Sequence, residues 1–337
     1  MPNRMPQAPI LSAMSWFGPH ASLQQFIKLD QTSDMRFSVG THGVQYILAT
    51  QDRKVEFVCW EDVVLAHVTS ALEYHGYYPV RKTQLETPVK AVLMDLDGTS
   101  VRSEDFWIWI IGQTTASLLG NPKFELEDVD IPHVSGHSVS EHLSYCINKY
   151  CPDKTLEQAR KFYFRHTHYE MNEISKGRGK QDAFKPTPGL KDFLMDLKSR
   201  GIKIGLVTSG LYEKAWPEIL SAFKTMQMGD PNDFYDAIIT AGFPLRQGQV
   251  GTLGELSPKP HPWLYAEVCR VGLGIDADDD SHVIGIEDSG AGVCSILLAG
   301  FPVIGMAGGN IKESGTLGLC HHYCHDFKEV SAIIARP

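Results

Sequence analysis

The stretch Val92-Leu93-Met94-Asp95-Leu96-Asp97-Gly98-Thr99 constrains this chain more than any other. From Lys90 to Met94 the residues are mostly apolar and partly β-branched, and a turn signal stops them, so they read as a buried strand. Asp95 and Asp97 follow one residue apart at its end, where both can converge on a single point. Gly98 lets the backbone turn sharply, and Thr99 can cap the next segment. Carboxylates this close repel one another unless a cation neutralises them or one keeps a proton. The bland alternative is a solvated Asp-x-Asp turn, but such a pair beside a buried strand has little packing use.

With 337 residues the chain is long enough for two or three well-filled domains. Its net charge of -9 argues against general binding to a phosphate backbone, so nucleic acid is not an expected partner. Near a helix the longest apolar run is Phe106 to Ile111, far too short to span a bilayer, so no membrane partner is expected either. Met1 to Ser15 lacks the continuous apolar core of a signal peptide. Seven cysteines, spread without a framework pattern, fit reduced thiols in the cytoplasm.

Residues 1–88 read as a small N-terminal α+β region. Alternating stretches Met35 to Val39, Val44 to Ala49 and Val55 to Cys59 suggest strands joined by Gly40-Thr41-His42-Gly43 and Thr50-Gln51-Asp52-Arg53. Val63, Val64, Ala66, His67, Ala71 and Leu72 recur at helical spacing and suggest one helix. No catalytic spacing occurs here, and the region is a candidate for homodimer or partner contacts. From residue 89 onward, strand candidates ending at Val207, Thr240, Ile286 and Ile304 alternate with helical stretches. That alternation predicts an α/β fold, a parallel sheet covered by helices on both faces, with ligands at the carboxyl ends of the strands. Residues 101–185 interrupt the rhythm with three helical stretches and are expected to form an inserted helical domain above the Asp95/Asp97 turn. The sheet domain then comprises residues 89–100 and 186–337.

Three further signals fall at strand ends on the same rim: Val207-Thr208-Ser209-Gly210, Ser257-Pro258-Lys259-Pro260, and Ile286-Glu287-Asp288-Ser289-Gly290. Each alone is modest: a helix cap, a surface turn, a solvated acid pair. Together, two carboxylate clusters suit a hard divalent cation with oxygen ligands. A hydroxyl, backbone amides and a lysine suit phosphoryl oxygens. The set indicates phosphoryl transfer through an aspartyl-phosphate.

On these residues the chain resembles the haloacid dehalogenase superfamily, in its branch with a helical cap that includes β-phosphoglucomutase-like and phosphoglycolate-phosphatase-like enzymes. The four motifs stand as Asp95-Leu-Asp97-Gly-Thr99, Thr208-Ser209, Lys259 and Glu287-Asp288, and Thr187-Pro188-Gly189-Leu190 is also typical of the branch. The resemblance runs from about residue 90 to 335. It implies a Rossmann-like core and Mg²⁺, with Asp95 as nucleophile and Asp97 as acid and base that also binds the metal through its carbonyl. It further implies that Thr208 and Lys259 hold the phosphoryl group, and that Asp288 is a metal carboxylate with Glu287 beside it as ligand or outer neighbour. Ser209 and Gly210 are expected at the phosphoryl group.

Departures from the family bear on substrate. Trp107 stands where the branch's mutases carry a proton-transferring histidine, and Val139 where they carry a phosphate-binding arginine. Both favour a phosphatase acting on a small phosphorylated metabolite over a sugar-phosphate mutase; a non-catalytic regulatory protein is the third reading. Arg102 is a candidate contact to a second anionic group or a surface ion pair. Arg165 is a candidate distal clamp or part of an exposed helical face. His137 and the basic loop Lys176 to Lys180 are further cap candidates. Cys320-His321-His322-Tyr323-Cys324-His325 has enough donors for zinc, but it sits where a last strand is expected, and a structural role is preferred.

Overall fold

The computed structural model describes residues 14–69, 75–134, 139–180, 183–240 and 258–335. Five antiparallel strands come first, in sequential order: β1 (Ile27–Leu29), β2 (Tyr46–Ala49), β3 (Val55–Cys59), β4 (Val64–Val68) and β5 (Gly76–Pro79). Where helical spacing predicted a helix there is a strand. Val64, Ala66 and Val68 alternate towards the molecule's centre, while His67 faces the other way and is buried by Glu56 at 2.8 Å. Burial on both faces blurred the period of two. The rest of that expected helix, Ala71 and Leu72, lies outside the described residues. Met35 to Val39 is likewise not a strand: the chain turns there with Met35 at a φ of 61°, and β1 takes the place beside β2.

Next comes β6 (Ala91–Asp95), at the centre of a six-stranded parallel sheet. The short β7 (Val101–Arg102) pairs antiparallel with β8 (Lys185–Pro186), and between them three helices form an insert. They are α1 (Glu104–Leu119), α2 (Val139–Tyr150) and α3 (Leu156–Ser175). Thr155 starts α3 with a reciprocal capping box to Gln158, and Gly120 ends α1 at a φ of 63°. The chain then alternates as expected: α4 (Leu190–Ser199), β9 (Lys203–Val207), α5 (Tyr212–Met226), β10 (Ala237–Ile239), α6 (Trp263–Glu267), β11 (Val283–Glu287), α7 (Gly290–Ala299), β12 (Val303–Met306), β13 (His322–Cys324) and α8 (Phe327–Ile334). Sheet order is β10-β9-β6-β11-β12-β13.

Alternate residues of the parallel strands feed two buried clusters. Val92, Met94, Leu206, Ile286 and Ile304 meet α4, α5, α8 and the insert. Leu93, Val207, Val283 and Val303 join Leu264, Val268, Val293 and Leu297. That second cluster also contains Phe57, Val64 and Val68, so the N-terminal sheet shares its core with the parallel sheet. Each large side chain buried there contributes roughly 1.5–3 kcal/mol. The central strands are therefore fixed from both faces, and what leaves their ends is held to the same rigid frame.

Candidate active site

Asp95 is the last residue of β6, level with Val207 of β9, and Met94 is level with Ile286 of β11. Parallel register thus brings Asp95, Thr208, Glu287 and Asp288 to one edge of the sheet. The turn after Asp95 closes on itself: the Ser100 and Val101 amides donate to the Leu96 carbonyl at 3.0 and 2.8 Å, and the Ser100 hydroxyl donates to the Asp95 carbonyl at 2.6 Å. Gly98 has a φ of +85°, and a Cβ there would stand 2.1 Å from Asp288 Oδ2. Only glycine permits both the turn and the approach of Asp288.

The Lys259 ammonium lies 2.5 Å from Asp95 Oδ1 and 2.6 Å from Glu287 Oε1, and all three side chains are at least nine-tenths buried. Asp95, Glu287 and Asp288 can each offer an oxygen within 4.8 Å of the others. Burial, then the charge of Glu287, pushes Asp95 well above the ordinary carboxylate range, with Lys259 pulling against them. Asp288 is raised likewise, by burial and then by Asp95 and Glu287. Burial would lower Lys259, yet its two carboxylate partners outweigh it and keep the lysine charged. Three acids against one base leave a surplus of negative charge that hard oxygen donors present to a divalent cation.

Glu287 is expected as a metal ligand or as the outer neighbour of one, and its hydrogen bonds suit the second role. Its Oε1 accepts from Lys259 and, at 3.0 Å, from the Tyr265 hydroxyl. Its Oε2 accepts from the Asp288 and Ser289 amides and the Ser289 hydroxyl at 2.9 to 3.1 Å. Those donors occupy it, so it orients the lysine and the turn, leaving Asp95 and Asp288 as the carboxylates best placed for a cation.

Asp97 turns its side chain away from that cluster. Oδ1 accepts from Ser103 at 2.9 Å and Lys214 at 3.0 Å; Oδ2 accepts from Thr208 at 3.2 Å. Burial alone would raise it, but Lys214 and the hydrogen bonds outweigh that and hold it below the usual range. The Lys214 ammonium also sits 4.4 Å from the Trp107 ring centre. Beside it, Glu218 is fully buried and accepts from Trp107 Nε1 at 3.1 Å. Burial, then the charge of Asp97, pushes Glu218 well above the carboxylate range.

Lys214, Glu218, Ser103 and Tyr265 escaped the sequence reading. The signal for two of them was present: Lys214 and Glu218 stand four apart on α5, and Glu218 falls among the buried Ala215, Ile219 and Ala222. Charge on the apolar face of an amphipathic helix needs a partner.

The remaining candidates divide. Thr208 and Lys259 reach the site. The Ser209 hydroxyl accepts the Lys259 amide at 3.2 Å, and the Gly210 amide donates to the Thr208 hydroxyl at 2.8 Å, so both brace the site. Arg102 does not join it: exposed on β7, it sits across from Lys185. Arg165 lies on the outer face of α3, stacked on Phe162, while Tyr163 and Thr167 occupy the buried face. His137 lies outside the described residues. In the basic loop, Arg178 pairs with Glu173 and Lys180 lies over Trp109. No zinc cluster forms at Cys320 and Cys324 among the described residues. His321 instead accepts the Val303 amide at 3.1 Å and lies 3.1 Å from the Thr83 hydroxyl, tying the linker before β6 to the sheet.

No helix among the described residues is long and apolar enough to cross a membrane. Solved structures share the fold. A predicted phosphoglycolate phosphatase from Haemophilus somnus superposes at a TM-score of 0.54 with 18% identity, covering 73% of this chain and 98% of its own. A family IA, variant 3 HAD hydrolase from Entamoeba histolytica gives 0.52 with 21% identity, covering 71% and 94%. CbbY from Rhodobacter sphaeroides in complex with phosphate gives 0.50 with 18% identity, covering 72% and 96%. At these identities the likeness concerns the fold. Residues 89–300 match the model of the haloacid dehalogenase-like hydrolases, well over half of the chain, and the protein belongs to that family.

Proposed function

We propose that the protein is a Mg²⁺-dependent phosphatase that hydrolyses a small phosphorylated metabolite through an aspartyl-phosphate on Asp95. The observation that carries this reading is the Lys259 ammonium held between Asp95 and Glu287, with Asp288 completing a buried acid cluster. A dianionic ester meets Asp95 only where positive charge offsets both partners. Asp95 and Asp288 would hold Mg²⁺, which when bound supplies that charge and polarises a phosphoryl oxygen.

In the first half-reaction an Asp95 oxygen bonds to phosphorus and the bond from phosphorus to the ester oxygen breaks. Asp97 gives that oxygen its proton. In the free protein Lys214 keeps Asp97 ionised; a dianionic ester beside it raises its proton affinity, so the substrate itself favours the acid form. Once the alcohol leaves, Asp97 is again a carboxylate and takes a proton from water as the water oxygen attacks phosphorus and frees Asp95. Thr208 stays with Asp97 throughout, and Lys259 neutralises the phosphoryl oxygens.

The insert, residues 101–185, fits the role of a cap that sets specificity and excludes water on closure. Trp107 favours hydrolysis over phosphate migration within a sugar: its indole is committed to Glu218 and Lys214, and it has no titratable group to shuttle protons. A screen of small phosphorylated metabolites with Mg²⁺, read as inorganic phosphate released, tests the reading. Release from at least one ester is expected; a folded protein that frees none overturns it.

A further inference from the structure

The family match begins at residue 89, yet a side chain from before that point reaches the loop that carries Lys259. On β5, Tyr77 and Tyr78 point to opposite faces of the N-terminal sheet, as period two requires. Tyr77 donates to Asp34 on the outer side. Tyr78 faces inward, with its hydroxyl 2.7 Å from Nδ1 of His261. Its ring meets His261 and Trp263 edge-on, with centroids 5.6 and 5.9 Å apart. His261 is buried, two residues beyond Lys259. The hydrolase core also restrains this loop: Ser209 accepts the Lys259 amide, and the Ser295 hydroxyl donates to the His261 carbonyl at 2.5 Å.

The same N-terminal region braces the opposite side of the acid cluster. The Gln51 amide donates to the Ser314 carbonyl at 2.8 Å, and a Cβ on Gly315 would stand 2.5 Å from the Gln25 carbonyl oxygen. Six residues earlier, Gly309 is pressed so closely on Asp288 that a Cβ would stand 2.3 Å from its carbonyl oxygen. The N-terminal sheet therefore abuts both the lysine loop and the segment that backs Asp288.

We propose that Tyr78 is a positioning residue for Lys259: its hydroxyl fixes His261, and the short Pro258–His261 loop passes that constraint to the ammonium between Asp95 and Glu287. The N-terminal region is on this account a working part of the phosphate site. The kinetic side of the proposal rests on the phosphatase reading; the structural side does not. A buried cation with two carboxylate partners tolerates little displacement, and a misplacement of about 1 Å costs roughly 10²-fold in rate.

The test uses the full chain and Tyr78→Phe, which removes one oxygen and keeps the ring. Backbone hydrogen exchange over residues 258–265 is expected to quicken by about tenfold while residues 55–68 keep their protection. With p-nitrophenyl phosphate and Mg²⁺, kcat is expected to fall by roughly tenfold with KM held within about twofold. Tyr77→Phe, on the outer face, should change neither quantity, and a general loosening would make the two variants alike. His261→Gln should lose the same factor as Tyr78→Phe, and the double variant no more than either. Unchanged exchange at 258–265 in Tyr78→Phe overturns the proposal, as does quickened exchange with an unchanged kcat. If the wild-type protein releases no phosphate, the phosphatase reading falls, and the exchange comparison alone decides whether Tyr78 holds the loop.

Discussion

At the candidate site Lys259 and Lys214 each sit between carboxyl groups, and their surroundings differ in one respect that sets their roles. Lys259 stands against Asp95 and Glu287 with Asp288 alongside, three acids to one base, all deeply buried. Lys214 stands against Asp97 and, at 3.8 Å, Glu218, with Asp97 partly open to solvent. In the first cluster burial, and then a surplus of charge with no internal remedy, push two acids up together. In the second the acids part company: Asp97 is held down by its lysine and hydrogen bonds, and Glu218 is pushed up by burial and by Asp97. A surplus calls for a cation from outside, whereas a balanced pair tunes one acid against another.

The largest expected effect separates the nucleophile from everything that supports it. Asp95→Asn keeps the side chain's shape and removes its capacity to form the acyl-phosphate, so turnover should fall by roughly 10³-fold or more. Circular dichroism should show the fold intact, because the variant also relieves charge in the over-acidic cluster. Appreciable phosphate release by purified Asp95→Asn would break the covalent mechanism, and the distinction between the two clusters would lose its purpose.

Next comes removal of the cation. Asp95 and Asp288 have folded-state pKa values above the ordinary 3.8, so the folded chain binds more protons than the unfolded one above that pH. Their contribution to stability is complete below pH 3.8 and is lost as pH rises through the raised folded values. In a chelator, the melting temperature should therefore be lower at a pH above the raised folded values than at a lower pH nearer 3.8. Mg²⁺ should restore stability, by about 2.7 kcal/mol when present at roughly a hundred times its Kd. At one fixed Mg²⁺ concentration the gain should be larger at the higher pH, where the cation need not displace protons from the acids. Equal gains at both pH values would mean that Asp95 and Asp288 are not the groups that meet the cation.

The contrast between the clusters also explains what could be read from the chain alone. The Lys259 cluster was legible because its acids, Asp95, Glu287 and Asp288, stand at the ends of apolar strands, and a parallel sheet brings strand ends together whatever the helices do. The alternation of strands and helices was legible for the same reason. The Lys214 cluster was not, because it spans α1 and α5, and neither period nor spacing says which helix faces meet across an insert. Arg165 shows the cost: the sequence left a distal clamp and an exposed helical face open, and the structure places it on the exposed face while Tyr163 holds the inward one. In the N-terminal sheet the error came from His67, a polar residue buried through its hydrogen bond with Glu56, which made a two-faced strand look helical.

Lys214→Met tests the balanced cluster directly. The substitution keeps the packing on Trp107 and removes the charge that holds Asp97 down. Asp97 should titrate at higher pH, moving the acidic limb of the kcat/KM profile upward, and kcat should fall by about 10- to 100-fold. An unmoved acidic limb would show that Lys214 serves packing and that Asp97 owes its ionisation to Ser103 and Thr208.

Glu218→Gln should do least, and its smallness carries the argument. Glu218 is raised by burial and by Asp97, with Lys214 opposing, so its surroundings favour the neutral acid. Glutamine copies that neutral form and keeps an oxygen for the Trp107 indole, which lies 3.1 Å away. Activity near pH 7 should stay within about threefold of wild type, because no charge has been removed. Stability should diverge only as pH rises. A group whose folded pKa is raised loses its contribution as the pH passes through that value, and glutamine has none to lose. The variant should therefore gain on the wild type in melting temperature as pH rises through the raised folded value of Glu218. A tenfold loss of kcat at pH 7, or a lower melting temperature there, would instead make Glu218 an ionised partner of Lys214. The second cluster would then carry two charged acids on one lysine, and it would differ from the first only in lacking a third.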